Sequence, residues 1–131
     1  MRLCLDTSAY SAFMKGHEEV VDLLQRAKQI VLTPIVLGEL LSGFRRGRWQ
    51  DQNLDLLDRF LDSPRVVSIS VDDETPLRYA DIVDDLRRAG TPIPSNNLWI
   101  AASAMQYGLI VVSTDSHFEK VPQISKHTFS L

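Results

Sequence analysis

The sequence predicts an α/β protein, a three-layer α/β/α domain with a central parallel sheet. Short apolar runs at Arg2–Leu5, Ile30–Leu32, Val66–Ile69 and Ile110–Ser113 alternate with amphipathic segments, the interleaving expected when a parallel sheet is covered by helices on both faces. No hairpin signal such as Asn-Gly joins one apolar run to the next, so antiparallel neighbours are not indicated. The chain has 131 residues, enough for one domain that buries roughly two-thirds of the surface its unfolded form exposes. With no repeat, linker or low-complexity segment, residues 1–131 read as a single domain.

The elements follow in order. Arg2–Leu5 is a short apolar strand that runs into Asp6, Thr7 and Ser8. Residues 8–14 form a brief helix stopped near Gly16, and a second helix over 18–28 carries Val20, Val21, Leu24 and Ala27 at helical spacing. After the strand Ile30–Leu32, Thr33-Pro34 is a helix start: a capping hydroxyl precedes a proline whose missing N–H costs nothing at the first position. That helix runs to about Arg46. Leu54, Leu57 and Leu61 mark the next one, and Val66–Ile69 is the third strand. A long helix over 72–89 is closed by Gly90. Residues 91–94 are extended, because Pro92 and Pro94 push the residues before them out of the helical region. Ser95 or Asn96 then caps a helix to about Tyr107, ended by Gly108, and Ile110–Ser113 is the fourth strand. Residues 128–131 are expected as a short edge strand.

Cys4 is the only cysteine, so no intrachain disulfide forms, and its place in an apolar strand indicates a buried thiol in a reducing compartment. The apolar runs are too short to cross a bilayer, and Met1 leads into the first strand without a leader. A soluble, cytoplasmic protein is expected, without a membrane partner. Lys and Arg number 14 against 17 Asp and Glu, a net charge of −3. No global attraction to nucleic acid follows, and any phosphate contact must be local.

Acids carry the chemistry. In an open parallel sheet ligands gather outside the carboxyl ends of the strands, and Asp6 stands at such an end. Asp115 repeats the arrangement after Ile110–Ser113. Glu39 lies on a helix apolar nearly all round, with Ile35, Val36, Ser42 and Gly43 as its neighbours at three and four residues. A carboxylate there must be paired, protonated or bound to a metal. Each acid has a plainer use: Asp115 as an N-cap of the following turn, Glu39 as a partner of Arg45 or Arg46. Together they suggest oxygen ligands for a hard divalent ion, Mg²⁺ or Mn²⁺. Zinc is poorly supported, since His17, His117 and His127 lack paired ligand spacing; His117 reads as a surface or supporting side chain.

The succession Leu5-Asp6-Thr7-Ser8, Gly38-Glu39-Leu40, Asn96-Asn97-Leu98-Trp99-Ile100-Ala101-Ala102 and Val112-Ser113-Thr114-Asp115-Ser116-His117-Phe118 resembles the PIN-domain ribonucleases, in particular the VapC toxins of toxin–antitoxin pairs. The resemblance spans essentially the whole chain; each motif is weak and the ordered set is strong. It implies an α/β/α fold, cleavage of RNA phosphodiesters by metal-activated water, inhibition by a cognate antitoxin, and a homodimer. Asp6, Glu39 and Asp115 match the family's metal-binding acids. Ser113 matches a supporting hydroxyl, and Ser8 a small polar neighbour. The family's fourth acid, three residues before Ile100, is Asn97 here. Asn offers a neutral oxygen without a charge, so metal affinity is expected to fall and activity to be weakened or silenced. A working three-acid variant, a degenerate member and a silencing substitution all fit, and the intactness of the other motifs favours the last. Taken by itself, Asn97 reads as a helix cap.

Arg45, Arg46, Arg48 and Trp49 form the densest basic cluster, directly after the Glu39 helix. Guanidiniums for phosphates beside a ring for base stacking suit an RNA surface, although a solvated loop is the commoner use of such a run. Arg87 and Arg88 are a weaker candidate, equally suited to stabilising a helix C-terminus. Ala9, Tyr10, Phe13 and Met14 are candidates for the antitoxin surface implied by the resemblance, or for core. A phosphoryl-accepting receiver module and a haloacid-dehalogenase-like phosphatase are disfavoured by Thr7 and Ser8 after Asp6. The serious rival is a catalytically inert PIN module that binds RNA or a protein partner.

Overall fold

The computed structural model describes residues 1–131. Five strands, β1 (Arg2–Leu5), β2 (Gln29–Val31), β3 (Val66–Val67), β4 (Ile110–Ser113) and β5 (Ser125–Thr128), form one sheet in the order β3-β2-β1-β4-β5. Every pair is parallel, with Cys4 opposite Val31 on one side and Val111 on the other. Six helices cover it: α1 (Thr7–Met14), α2 (Glu18–Arg26), α3 (Pro34–Arg46), α4 (Gln50–Leu61), α5 (Thr75–Ala89) and α6 (Ser95–Tyr107). The predicted three-layer α/β/α architecture is the one found.

The chain starts in the middle of the sheet, adds β2 and β3 on one side, then crosses back to add β4 and β5 on the other. The direction of winding therefore reverses between β1 and β4, and the crevice at such a reversal is where open α/β sheets bind ligands. Leu3, Cys4 and Leu5 of β1 and Val111 and Val112 of β4 are fully buried, at the centre of one continuous apolar core. Burial pushes the Cys4 thiol up to about 12, so it is an inert core residue.

Several boundaries differ from expectation. β3 has only two residues, because Ser68 and Ile69 lie beyond its last pairing with β2. α5 begins at Thr75, since Asp72 is drawn into a turn in which its backbone N–H donates to Thr75 Oγ1. Neither Ser95 nor Asn96 caps α6: the cap position is Pro94 and no side chain bonds there. β5 is Ser125–Thr128 instead of residues 128–131, set by parallel pairing with Ile110–Ser113. Thr33 caps α3 as predicted, accepting from the Val36 N–H at 3.2 Å, and Gly90 and Gly108 end α5 and α6 with φ of 71° and 66°, left-handed values that suit glycine.

Candidate metal centre at the sheet crossover

Asp6 follows β1 and Asp115 follows β4, so the reversal of winding sets the two acids on adjacent strand ends. Asp6 is buried, 7% exposed, and caps α1 by accepting from the Ala9 N–H at 2.9 Å. Its Oδ1 also accepts from Ser8 Oγ at 2.6 Å, and its Oδ2 accepts a short hydrogen bond from Ser113 Oγ. Both hydroxyls also accept from the backbone that follows β4: Ser113 Oγ from the Asp115 N–H at 2.8 Å and Ser8 Oγ from the Thr114 N–H at 3.0 Å. Two serines thus lock the carboxylate to the neighbouring strand end. Burial raises the Asp6 carboxyl above its ordinary range and the Asp115 charge adds to this, against lowering by Ser113, Ser8 and the Ala9 N–H.

Asp115 keeps the capping use expected of it, accepting from the His117 N–H at 2.9 Å. The His117 ring nitrogen Nδ1 lies 2.7 Å from the same oxygen, Oδ1, so His117 supports an acid, as expected. The other oxygen, Oδ2, accepts from Asn97 Nδ2 at 2.9 Å. Partial burial pushes the Asp115 carboxyl up, but the His117 backbone N–H, the Asn97 amide and the His117 ring together hold it below the ordinary value.

Asn97 is therefore a hydrogen-bond donor to an acid, and it does not cap its helix. The opposite amide orientation would turn an oxygen onto the carboxylate, so the network fixes which way it points. Its neighbour Asn96 does the same for the third acid, donating from Nδ2 to Glu39 Oε2 at 3.2 Å. Two adjacent amides at the start of α6 thereby tie Asp115 on one side to Glu39 on the other. The role of Asn96 was not foreseen, and only its position beside Asn97 hinted at it.

Glu39 departs from expectation in its setting. Gly38, Leu41 and Ser42 of α3 are exposed and Glu39 is half-buried, so the helix does have an open side. Arg45 and Arg46 leave Glu39 unpaired; Arg46 Nη1 instead donates to Ser42 Oγ at 3.1 Å. Glu39, Asn96 and Arg46 line a cleft of about 510 Å³ between α3 and the start of α6. Elsewhere, Trp49 is 63% exposed, and Arg45 and Arg48 are exposed beside it. Ala9 and Tyr10 are core, with Tyr10 and Phe13 edge-on to Phe60 at 5.2 and 5.6 Å.

A divalent ion fits this donor set in kind. Asp6, Glu39 and Asp115 are oxygen ligands of the sort hard cations take, and the Asp115 charge, which raises the Asp6 carboxyl, is one an intervening cation would offset. The arrangement is not a finished cage, for no three His, Cys, Asp or Glu side chains stand close enough to enclose an ion. Beside them, the Asn97 N–H occupies an oxygen of Asp115.

The family model of the PIN domain matches residues 3–124, and the chain belongs to the PIN-domain family. Its relatives include ribonuclease VapC2 of Rickettsia felis, 27% identical with 79% of this chain and 77% of the relative covered. The tRNA(fMet)-specific endonuclease VapC of Salmonella typhimurium is 28% identical over 95% of each chain. Among solved structures, VapBC2 from Rickettsia felis bound to a promoter DNA fragment shares the fold with a TM-score of 0.85, at 24% identity over 99% of this chain and 100% of the other.

Proposed function

We propose that this chain is an endoribonuclease toxin of the VapC type, held in check by a cognate antitoxin, and that Asn97 weakens it. The observation that carries this reading is the Asp6–Ser113–Asp115 linkage at the sheet crossover, continued through Asn97 and Asn96 to Glu39. The ribonuclease names of the relatives support the substrate class.

In this reading Asp6, Glu39 and Asp115, with the Asn97 carbonyl, would hold Mg²⁺ or Mn²⁺, which when bound would supply positive charge to acidify a water and to offset charge on the phosphoryl oxygens. Ser113 and Ser8 fix the orientation of Asp6 against β4, and the His117 N–H fixes Asp115. Asn97 acts against the site in two ways: it brings no charge, and its N–H competes with the cation for Asp115 Oδ2. Dimerisation and an antitoxin partner are part of the proposal, the partner supported by structural neighbours solved as VapBC toxin–antitoxin complexes. A cytoplasmic site of action is part of the proposal; no helix is long and apolar enough to cross a membrane.

The same Asn97–Asp115 hydrogen bond favours a second reading, an inert PIN module that binds RNA or protein without cutting. Incubation of the chain with single-stranded and structured RNA, with Mn²⁺ and with EDTA, separates the two. The ribonuclease reading expects slow, Mn²⁺-dependent cleavage that EDTA stops and that Asn97→Asp accelerates; products absent from both proteins on every RNA leave the inert reading standing.

A further inference from the structure

We infer that the cleft beside Glu39 is an RNA-backbone subsite in which Arg46, steadied by Ser42, takes a phosphate next to the one cleaved. This rests on the ribonuclease reading above and names which cation of the basic tip serves it. Ile35, Glu39, Ser42 and Arg46 follow one another at spacings of four, three and four residues, so they form a single stripe along α3. That stripe is one wall of the cleft, and Asn96 stands on the other. Arg45 and Arg48 do not line it: one residue turns the helix by about 100°, which carries Arg45 off the stripe, and Arg48 lies past the end of α3.

The chemistry matches a phosphodiester. Arg46 has no carboxylate partner and uses Nη1 on Ser42 Oγ, leaving the rest of its guanidinium fork for phosphate oxygens. Ser42 accepts that bond with its oxygen, so its own proton remains to donate to the same anion. Gly38 lines the cleft beside Glu39, and a Cβ built there meets nothing within 4 Å, so this stretch of wall is open to a ribose. Arg46 reaches back one turn to Ser42, three residues and about 4.5 Å of rise from Glu39, which sets the guanidinium at a neighbouring phosphate while Glu39 serves the scissile one. An acidic protein segment lying in the same cleft is the competing occupant; it would not prefer Arg46 over Arg45 for an RNA.

The test is anisotropy of a fluorescein-labelled single-stranded RNA titrated with the full chain across a salt series, with Ca²⁺ in place of Mg²⁺ or Mn²⁺ and RNA integrity checked on a gel. Arg46→Ala is expected to weaken binding about five- to tenfold and to flatten the dependence of log affinity on log salt by about 0.7, the loss of one phosphate contact on a single strand. Arg46→Lys keeps the salt slope, and Arg45→Ala and Arg48→Ala each stay within about twofold of the parent. If the parent binds and Arg46→Ala weakens it no more than Arg45→Ala or Arg48→Ala, the subsite is refuted and the ribonuclease reading survives. If the parent shows no salt-dependent RNA binding at all, the ribonuclease reading fails and the subsite fails with it.

Discussion

Replacing Asn97 by Asp should make the metal-free protein less stable and the metal-bound protein more so. The substitution removes the N–H that Asp115 Oδ2 accepts at 2.9 Å and sets a second carboxylate in its place. Two unit charges about 4 Å apart repel by about 4 kcal/mol at an effective dielectric constant of about 20. The Asp115 side chain is 36% exposed, and solvent screening reduces the cost to about 1–2 kcal/mol. For a domain of this size that corresponds to a fall in Tm of roughly 3–10 °C in EDTA. A divalent ion should reverse the order, because the added charge now attracts it: Mn²⁺ should bind the variant at least about tenfold more tightly, a gain of about 1.4 kcal/mol, and raise its Tm more than that of the parent. Thermal melts in EDTA and over a Mn²⁺ series, with calorimetric titration of Mn²⁺, measure both effects. An Asn97→Asp variant as stable as the parent in EDTA, with no greater response to Mn²⁺, would refute the reasoning.

Other outcomes follow from the same contacts. Ser113→Ala removes a buried hydroxyl that donates to Asp6 and accepts from the Asp115 N–H, and should cost about 1–3 kcal/mol in urea unfolding; an unchanged midpoint would deny the linkage. Asp6 has a raised carboxyl, so the folded state holds its proton to higher pH than the unfolded chain, and stability from this group falls as pH rises from the unfolded Asp range through the raised folded value. Asp6→Asn should therefore unfold at higher urea than the parent at pH 7, with the advantage shrinking in acid; a lower midpoint at pH 7 would contradict this. Asp115 runs the other way, since its lowered carboxyl contributes stability above the unfolded Asp range that is lost as pH falls through the folded value. Arg65→Ala strips donors from the Leu24 and Ala27 carbonyls at the end of α2 and should cost about 1–2 kcal/mol by the same urea measurement.

Much of the fold was legible because the strands that matter most are buried on both faces. Arg2–Leu5 and Ile110–Ser113 are continuous apolar runs that sit side by side in the middle of the sheet, and burial forces such runs to look alike in any sequence. The edges were harder. Ser125–Thr128 is polar along its length and owes its extended form to pairing with β4, a tertiary cause with no local signature. Of the candidate site, the strand-end acids were visible as carboxylates where apolar runs stop. The work of the two amides was not: Asn96 reaches a carboxylate 57 positions away and Asn97 one 18 away, and no local pattern distinguishes an amide that caps a helix from one that donates to a distant acid. Glu39 was expected on an enclosed helix, yet exposed Gly38 and Ser42 open a cleft beside it, because only Val36 and Leu40 of α3 are fully buried.

The measurement closest to the central claim is RNA cleavage with Mn²⁺ by three proteins: the parent, Asn97→Asp, and Asn97→Asp combined with Asp6→Asn. Placing a carboxylate at position 97 should raise Mn²⁺-dependent cleavage well above that of the parent, and Asp6→Asn should abolish the gain while the protein stays folded. Cleavage that survives Asp6→Asn, or an Asn97→Asp protein that cuts no RNA at any Mn²⁺ concentration, would contradict a metal-binding acidic pocket at the junction of β1 and β4.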